Sequence, residues 1–223
     1  MSRKVVFFHT TPATLESMKK AFYRDYPNEQ LISILDDGVL PEVIENGGEP
    51  TRGIVRKLVF YATLAQEQGA AVFVCMCTTL GIAVREAQKA VDIPMITIDT
   101  PMLMEAVRKG CRIGMLITFA PTEKASKATC RAFANDIGKQ VEIDVILVEG
   151  ARKALNEGDK KLHDELIVRK AHEVQDLYDV LVFAQATMVD AAAECNDMNP
   201  LILTSVESGI AQIAKYLDQK LDV

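Results

Sequence analysis

Ala71-Val-Phe-Val-Cys-Met-Cys-Thr-Thr-Leu80 is an apolar run that ends on a cysteine and two threonines. A continuous apolar run of this length, bounded by polar residues, is typical of a strand that is buried on both faces of a parallel sheet. The run predicts a strand over 71–76 and a helix over 79–91. It therefore places Cys77 where a buried strand ends and a helix begins.

The same alternation of apolar strands and amphipathic helices continues along the whole chain. Strands are predicted at 4–9, 30–35, 71–76, 95–98, 112–117, 141–148, 180–184 and 201–203. Helices are predicted at 12–25, 54–68, 79–91, 101–109, 121–137, 162–177, 188–195 and 206–221, with a short helix in the loop 39–51. The charged run 152–165 is predicted to be solvated surface. This pattern indicates an α/β protein with mainly parallel sheets that are covered on both faces.

The chain contains an internal repeat. Lys4–Thr10 and Arg112–Thr118 each consist of a basic residue, an apolar strand and a threonine, and they lie 108 positions apart (118 − 10). The strands 72–76 and 180–184 keep the same spacing. The repeat predicts two copies of one α/β unit.

Two pseudosymmetric lobes follow from this repeat. The first is expected to cover residues 1–100 and to be completed by the C-terminal helix 206–223, and the second is expected to cover 101–205. Ligands of open parallel sheets bind beyond the carboxyl ends of the strands. If the lobes are related by a pseudo-twofold axis, these ends converge, which predicts an active-site cleft between the lobes.

Composition excludes several classes of function. The 223 residues are 49% hydrophobic and carry a net charge of −6 without a cluster of Lys and Arg, so nucleic acid and membrane surfaces are not expected partners. No apolar stretch approaches the roughly 20 residues that a membrane helix needs. The odd number of five cysteines and the lack of a signal-peptide pattern indicate the cytoplasm. No zinc signature and no nucleotide-binding glycine motif is present, so neither a metal nor a nucleotide cofactor is expected.

Cys77 is the predicted reactive group. The dipole and the unpaired N–H groups at a helix start stabilise a thiolate and lower the pKa of a cysteine below its usual ~8.5. Such a thiolate can act as a base or as a nucleophile. The alternative is a buried core cysteine. Packing is the predicted role of Cys75, Cys111, Cys130 and Cys195.

Threonines at the predicted strand ends offer hydroxyls and N–H groups that can hold a carboxylate without an arginine. The candidate substrate-binding residues are Thr10, Thr11, Thr78, Thr79, Thr118, Gln185 and Thr187. The alternative role of the threonines is helix capping, and Thr187 with Asp190 matches the Thr-x-x-Asp capping pattern. Weaker candidates for the site are His9, Asp37 and His163.

The chain also carries an ordered set of motifs: His9-Thr10-Thr11-Pro12, Cys77-Thr78-Thr79, Pro94 with Asp99, Arg112-Ile-Gly-Met-Leu-Ile-Thr118, Gly158-Asp159 with His163-Asp164, and Asp179-Val-Leu-Val-Phe-Ala-Gln185-Ala-Thr-Met188. With these motifs, the whole chain resembles the aspartate/glutamate racemase superfamily, in particular its hydantoin-racemase-like branch. The resemblance implies two pseudosymmetric α/β lobes, no cofactor, and one cysteine per lobe to move a proton at a carbon beside a carboxylate. This sequence departs from that pattern, because the position equivalent to Cys77 holds Gln185, whose amide cannot act as a base at neutral pH.

The expected function is therefore a cofactor-independent racemase or isomerase. It would act at the carbon next to a carboxylate of a small amino-acid-like substrate, with Cys77 as the thiol base. Gln185 leaves two alternatives open: a one-thiol decarboxylase or related lyase, and a non-catalytic protein that binds small carboxylates. His163 or an aspartate could supply the second acid. A homodimer is the expected assembly.

Overall fold

The computed structural model describes residues 2–218. Within that part of the chain, residues 2–98 together with 206–218 form one compact unit and residues 99–205 form the other. None of the helices in residues 2–218 combines the length and the apolar character needed to cross a bilayer.

The first unit is built on a four-stranded parallel sheet. Its strands are β1 (Lys4–His9), β2 (Gln30–Leu35), β3 (Ala70–Cys75) and β4 (Met95–Thr97), in the order β2-β1-β3-β4. The central strands β1 and β3 are almost wholly buried, whereas β2 lies at an edge and is largely half-buried or exposed. The continuous apolar sequences of the central strands follow from this burial on both faces.

The second unit repeats the same arrangement. Its strands are β5 (Arg112–Ile117), β6 (Glu142–Leu147), β7 (Val180–Phe183) and β8 (Leu201–Thr204), all parallel and in the order β6-β5-β7-β8. The predicted α/β fold with two duplicated units and parallel sheets is thereby confirmed.

Helices cover the sheets. In chain order they are α1 (Leu15–Asp25), α2 (Val39–Glu45), α3 (Arg52–Glu67), α4 (Gly81–Gln88), α5 (Thr100–Lys109), α6 (Glu123–Asp136), α7 (Ala151–Asn156), α8 (Lys160–Val174), α9 (Val189–Ala193), α10 (Val206–Ala211) and α11 (Ala214–Leu217). In the first unit, Ile54 and Leu58 of α3 join Phe8 and Phe73 of the sheet in one core. Full burial of each such side chain contributes about 1.5–3 kcal/mol to the stability of the fold. The packing of α3 on the sheet therefore stabilises β1 and β3, the strands that precede the candidate site.

The predicted solvated surface over 152–165 is only partly correct. Helix α7 begins after Gly150, whose φ of 80° is in the left-handed region, and it buries Ala151 and Ala154. The first turn of α8 buries His163 completely. Helix α7 has few apolar positions, and they are separated by charged residues. The sequence pattern therefore did not predict it.

The predicted terminal helix 206–221 is wrong as a continuous element. It is split into α10 and α11 because the Tyr26 phenol enters its backbone ladder. The hydroxyl donates to the Ile210 carbonyl at 3.0 Å and accepts from the Ala214 N–H at 3.1 Å, the two groups that a continuous helix would pair. Residues 219–223, which belonged to the predicted helix segment, lie outside the described residues.

Candidate active site

Four strand ends share one local design. After β1, β3, β5 and β7 the chain passes through one or more extended residues and then enters a single 3-10 turn. The turns are Pro12–Thr14, Thr78–Leu80, Ala120–Thr122 and Ala186–Met188. The first N–H groups of a helical turn have no partner within it, so each turn offers donors at the carboxyl edge of its sheet.

Cys77 is the extended residue that begins the turn after β3. Its φ and ψ are −123° and 109°, and its carbonyl accepts the Leu80 N–H at 3.1 Å. The residue keeps 9% of its surface exposed, so it is mostly buried but still in contact with solvent. Cys75, two residues earlier, is completely buried, and its thiol lies 3.7 Å from the Cys77 carbonyl oxygen.

The register of β1 and β3 brings Thr10 and Cys77 to the same end of the sheet. Phe8 pairs with Cys75, and the Met76 N–H continues the ladder by donating to the Phe8 carbonyl at 2.8 Å. Thr10 and Cys77 each lie two residues beyond this pair, just after the ends of adjacent strands. Thr10 is 5% exposed.

The other threonines of the first unit divide between capping and turn positions. The Thr11 hydroxyl accepts the Ala13 N–H at 3.4 Å, as its predicted capping role requires. Thr78 is half-buried and Thr79 is buried, and both lie within the turn that Cys77 begins. Asp37 is exposed at the end of β2.

Gln185 has the backbone position in the second unit that Cys77 has in the first. Its φ and ψ are −118° and 144°, and its carbonyl accepts the Met188 N–H at 3.0 Å. The side-chain oxygen Oε1 accepts the Thr118 backbone N–H at 2.8 Å and the Thr118 hydroxyl at 2.9 Å. The Nε2 group lies 3.4 Å from Thr122 Oγ1. The glutamine thus bridges the ends of β5 and β7.

Thr187 does not cap a helix as the Thr-x-x-Asp pattern predicted. It is half-buried inside the turn Ala186–Met188, and the residue at the N-cap of α9 is Met188. The Asp190 carboxylate instead pairs with Lys160 at 2.9 Å. Helices α8 and α9 contact each other, and Lys160 at the start of α8 is within reach of Asp190.

His9 ends β1 and is completely buried. Its Nδ1 lies 2.9 Å from Thr14 Oγ1, and within the described residues its Nε2 has no hydrogen-bond partner. Burial lowers the pKa of His9 from 6.5 to about 4, because the charged imidazolium would lose its hydration. His9 is therefore neutral at pH 7.

His163 is also completely buried, one turn into α8. Its Nδ1 lies 2.7 Å from Asp164 Oδ1, whereas its Nε2 has no partner in the part of the chain that the structure describes. Asp164 is also bound by Lys160, so His163 belongs to a charged cluster where α8 meets α9.

Three further cysteines lie away from the Cys77 turn. Burial raises the pKa of Cys130 to about 12, with a further contribution from the Asp99 charge, and burial raises that of Cys195 to about 11. Cys111 is exposed and lines a hollow of about 390 Å³ at the amino ends of β5 and β6. That hollow lies at the opposite edge of the sheet from Gln185. In residues 2–218, no three or more His, Cys, Asp or Glu side chains are grouped so as to hold a metal ion.

Sequence reasoning missed Thr14 and Thr122 as members of the site. Each places its hydroxyl against a candidate residue, Thr14 against His9 and Thr122 against Gln185. The signal was present, because the two threonines keep the spacing of 108 positions that relates the units.

Comparison with known proteins identifies the family and the fold. Residues 5–213 match the family model for Asp/Glu/Hydantoin racemase. No curated protein sequence matched.

Solved structures share the fold. Aspartate racemase from Picrophilus torridus is 16% identical, with 99% of this chain and 96% of that chain covered and a TM-score of 0.72. Glutamate racemase from Francisella tularensis subsp. tularensis SCHU S4, in complex with D-glutamate, is 17% identical, with 97% and 81% covered and a TM-score of 0.70. Unliganded arylmalonate decarboxylase is 16% identical, with 98% and 94% covered and a TM-score of 0.63. The family model covers nearly the whole chain, and the chain therefore belongs to the Asp/Glu/Hydantoin racemase family.

Proposed function

We propose that the protein is a cofactor-independent enzyme that moves a proton at the carbon next to a carboxylate, with Cys77 as its thiol base and a small amino-acid-like molecule as its substrate. The observation that most supports this proposal is the position of Cys77, a residue that keeps 9% of its surface exposed, precedes a helical turn and follows the strand next to the one that Thr10 follows. N–H groups at such a turn stabilise a thiolate.

In the proposed reaction, the Cys77 thiolate takes the proton from the carbon, and the bonding electrons move onto the carboxylate to give an enediolate. The turn N–H groups and the hydroxyls of Thr10 and Thr78 hydrogen-bond to the oxygens on which negative charge builds up. Donors placed where charge develops lower the barrier most. The thiol then returns its proton to the carbon.

Racemisation requires a second group that can deliver a proton to the opposite face. Gln185 cannot do so because an amide does not ionise near neutral pH, and buried His9 is uncharged there. A one-sided reaction is therefore the second candidate, and Gln185 is the observation that favours it. In a decarboxylation, the C–C bond breaks, carbon dioxide leaves with the enediolate remaining, and the Cys77 thiol protonates the carbon.

The proposed function can be tested by proton exchange. Candidate amino acids, hydantoins and malonates are incubated with the enzyme in heavy water, and the α-proton and carbon dioxide release are followed by NMR. We expect exchange or decarboxylation that Cys77→Ala reduces on the order of 10³-fold. The matched control is Cys111→Ser, which removes an exposed thiol at the opposite sheet edge and leaves the rate unchanged.

Racemisation of the recovered product would identify an isomerase, and a single enantiomer with carbon dioxide release would identify a lyase. Tight binding of a carboxylate without exchange, racemisation or carbon dioxide release would contradict the enzyme proposal and would favour the binding protein.

The state of the thiol can be measured separately. In a Cys111→Ser background, iodoacetamide labelling reports on Cys77, because Cys77 keeps 9% of its surface exposed whereas Cys75, Cys130 and Cys195 keep none. The pKa values of Cys130 and Cys195, raised by burial, keep those two unreactive near neutral pH. A labelling midpoint at or above the ~8.5 of an ordinary cysteine would argue against an activated thiolate.

A further inference from the structure

We infer that the outer edge of the first sheet, strand β2, is the surface on which a second copy of this chain docks. The two β2 strands would run antiparallel to each other across a twofold axis close to Ser33. The inference concerns assembly and does not depend on the proposed function. It assigns a surface to the homodimer that the sequence analysis expects.

The backbone of β2 directs hydrogen-bonding groups away from the sheet. The Gln30 N–H donates to β1 at 2.8 Å and the Asp36 N–H donates to the end of β1 at 3.0 Å, so the even-numbered residues face β1. The odd-numbered residues, with Ser33 at their centre, therefore turn their N–H and C=O groups outward. The Leu31 N–H has a long bond of 3.4 Å to the Tyr23 hydroxyl. Among the described residues, no further strand pairs with this side of β2.

The side chains of β2 carry no charge. The strand Gln30–Leu35 contains no ionisable residue, and Ser33 and Leu35 are exposed. The equivalent edge strand of the second unit, β6, carries the exposed carboxylates of Glu142 and Asp144, so twofold pairing of β6 would bring four negative charges together. Charged side chains on an edge strand prevent pairing with another chain. Of these two equivalent edges, β2 is therefore the one that can accept a partner strand.

Exposed apolar side chains flank the same strand. The described part of the first unit exposes four large hydrophobic residues, and all of them lie on β2 or on the helices α1, α2 and α3 beside it: Tyr23, Leu35, Ile44 and Phe60. Phe60 is the most exposed of them, at 59%. It precedes Tyr61, whose hydroxyl donates to the Asp36 carboxylate at the end of β2 at 3.1 Å. Apolar groups gathered around an unpaired strand indicate a protein interface.

A second copy is the occupant that this edge fits. An antiparallel pair of identical strands is its own twofold image, so with the axis at Ser33 the outward row of one copy pairs with the same row of the other. Six residues extend over about 20 Å, and a sheet with a helix on each face is about 30 Å deep, which gives roughly 600 Å² per copy. Stable interfaces bury roughly 600–1,000 Å² per partner.

Sedimentation equilibrium of the full chain tests the inference with a lysine on each edge. We expect the wild type to be a dimer, and Ser33→Lys to raise the dimer Kd about 100-fold or more, because two ammonium groups would meet near the axis. The matched control Glu142→Lys places the same group on the edge of the second sheet and should leave Kd unchanged. Both substitutions make the net charge of −6 less negative, so overall repulsion cannot explain weaker association of Ser33→Lys.

A second pair of variants tests the apolar flank. Phe60→Ser should raise the dimer Kd about 10-fold, because aromatic side chains contribute strongly when an interface buries them. Leu177→Ser is the matched control, since Leu177 is similarly exposed, at 56%, but lies in the second unit, and its Kd should not change. Melting temperatures measured at a concentration where every variant is monomeric establish that the variants are folded.

Cross-linking locates the axis directly. Opposite residues of a hydrogen-bonded antiparallel pair have Cα atoms about 5.5 Å apart, within the range that a disulfide spans. Ser33→Cys in a Cys111→Ser background should therefore form a covalent dimer on mild oxidation, whereas Glu142→Cys in the same background should not.

Three results would overturn the inference. The first is a wild-type protein that stays monomeric at about 100 µM, whether or not the edge binds some other chain. The second is a dimer that Ser33→Lys leaves intact or that Glu142→Lys weakens equally. The third is a stable dimer in which Ser33→Cys does not cross-link, since the copies would then meet on another surface. Each of these results leaves the proposed function untouched.

Discussion

Replacing His9 with asparagine tests whether the histidine at the end of β1 is held uncharged. Burial lowers its folded-state pKa from 6.5 to about 4. Between these two values the unfolded chain binds a proton that the folded chain does not, so stability falls as the pH falls. The free energy of unfolding should therefore decrease by about 2 kcal/mol between pH 7 and pH 5 on account of His9 alone.

Asparagine can still place a polar group near Thr14 Oγ1, but it does not ionise. His9→Asn should lower stability at every pH, because part of the buried ring is lost, and its stability should change less than that of the wild type between pH 7 and pH 5. Urea unfolding at several pH values measures both curves, and the carboxylates that titrate in this range contribute equally to each. The exposed His172 provides the control, since His172→Asn should follow the wild-type curve. Wild-type and His9→Asn curves that run parallel would refute the assignment of a buried neutral imidazole.

Two further predictions concern how the chain returns to the first unit. Gly209→Ala would bring a methyl group to 2.1 Å from the Ile98 carbonyl oxygen, so α10 must shift. Urea unfolding should therefore show that the free energy of unfolding falls by about 3 kcal/mol or more. An unchanged free energy of unfolding would mean that α10 is not packed this closely. Tyr26→Phe removes the hydroxyl between the Ile210 carbonyl and the Ala214 N–H, which can then pair directly, so we expect a loss of only about 1 kcal/mol and increased amide protection at Ala214. Faster exchange of the Ala214 amide would contradict that re-pairing.

The sheets could be predicted because their information is local and redundant. Buried central strands such as β1 and β3 must be apolar on both faces, and this makes them visible as uninterrupted runs. The repeat then predicted the topology, because two copies of one unit should have their strands in the same order. Both units indeed have the same strand order.

The elements that escaped prediction depend on single contacts between distant residues. The break between α10 and α11 is caused by a phenol 184 positions away in the sequence, and no local pattern encodes it. Helix α7 buries only two alanines, which is too weak a pattern to stand out among charged neighbours. In the first case a tertiary contact prevails over the local propensity, and in the second the local pattern is too weak to indicate a helix.

The candidate site was predictable in its backbone and less so in its hydrogen bonds. The predicted strand ends identified Thr10 and Cys77 as candidates, and the strand register brings both to the same end of the sheet. The sequence could not predict that Thr118 would give both of its hydrogens to Gln185, because threonine hydroxyls can serve many acceptors. That choice depends on the side-chain length of residue 185, which reaches across from β7 to β5.

The duplication gives the two units matching backbone positions that carry different side chains. Cys77 and Gln185 have the same extended backbone and the same carbonyl bond to the end of the following turn. The Gln185 side-chain oxygen also accepts hydrogen bonds from both the backbone N–H and the hydroxyl of Thr118. A thiol at position 185 would remove this acceptor and leave the Thr118 N–H and hydroxyl without their Gln185 partner. Because an amide does not ionise near neutral pH, proton transfer under the proposed function rests on Cys77.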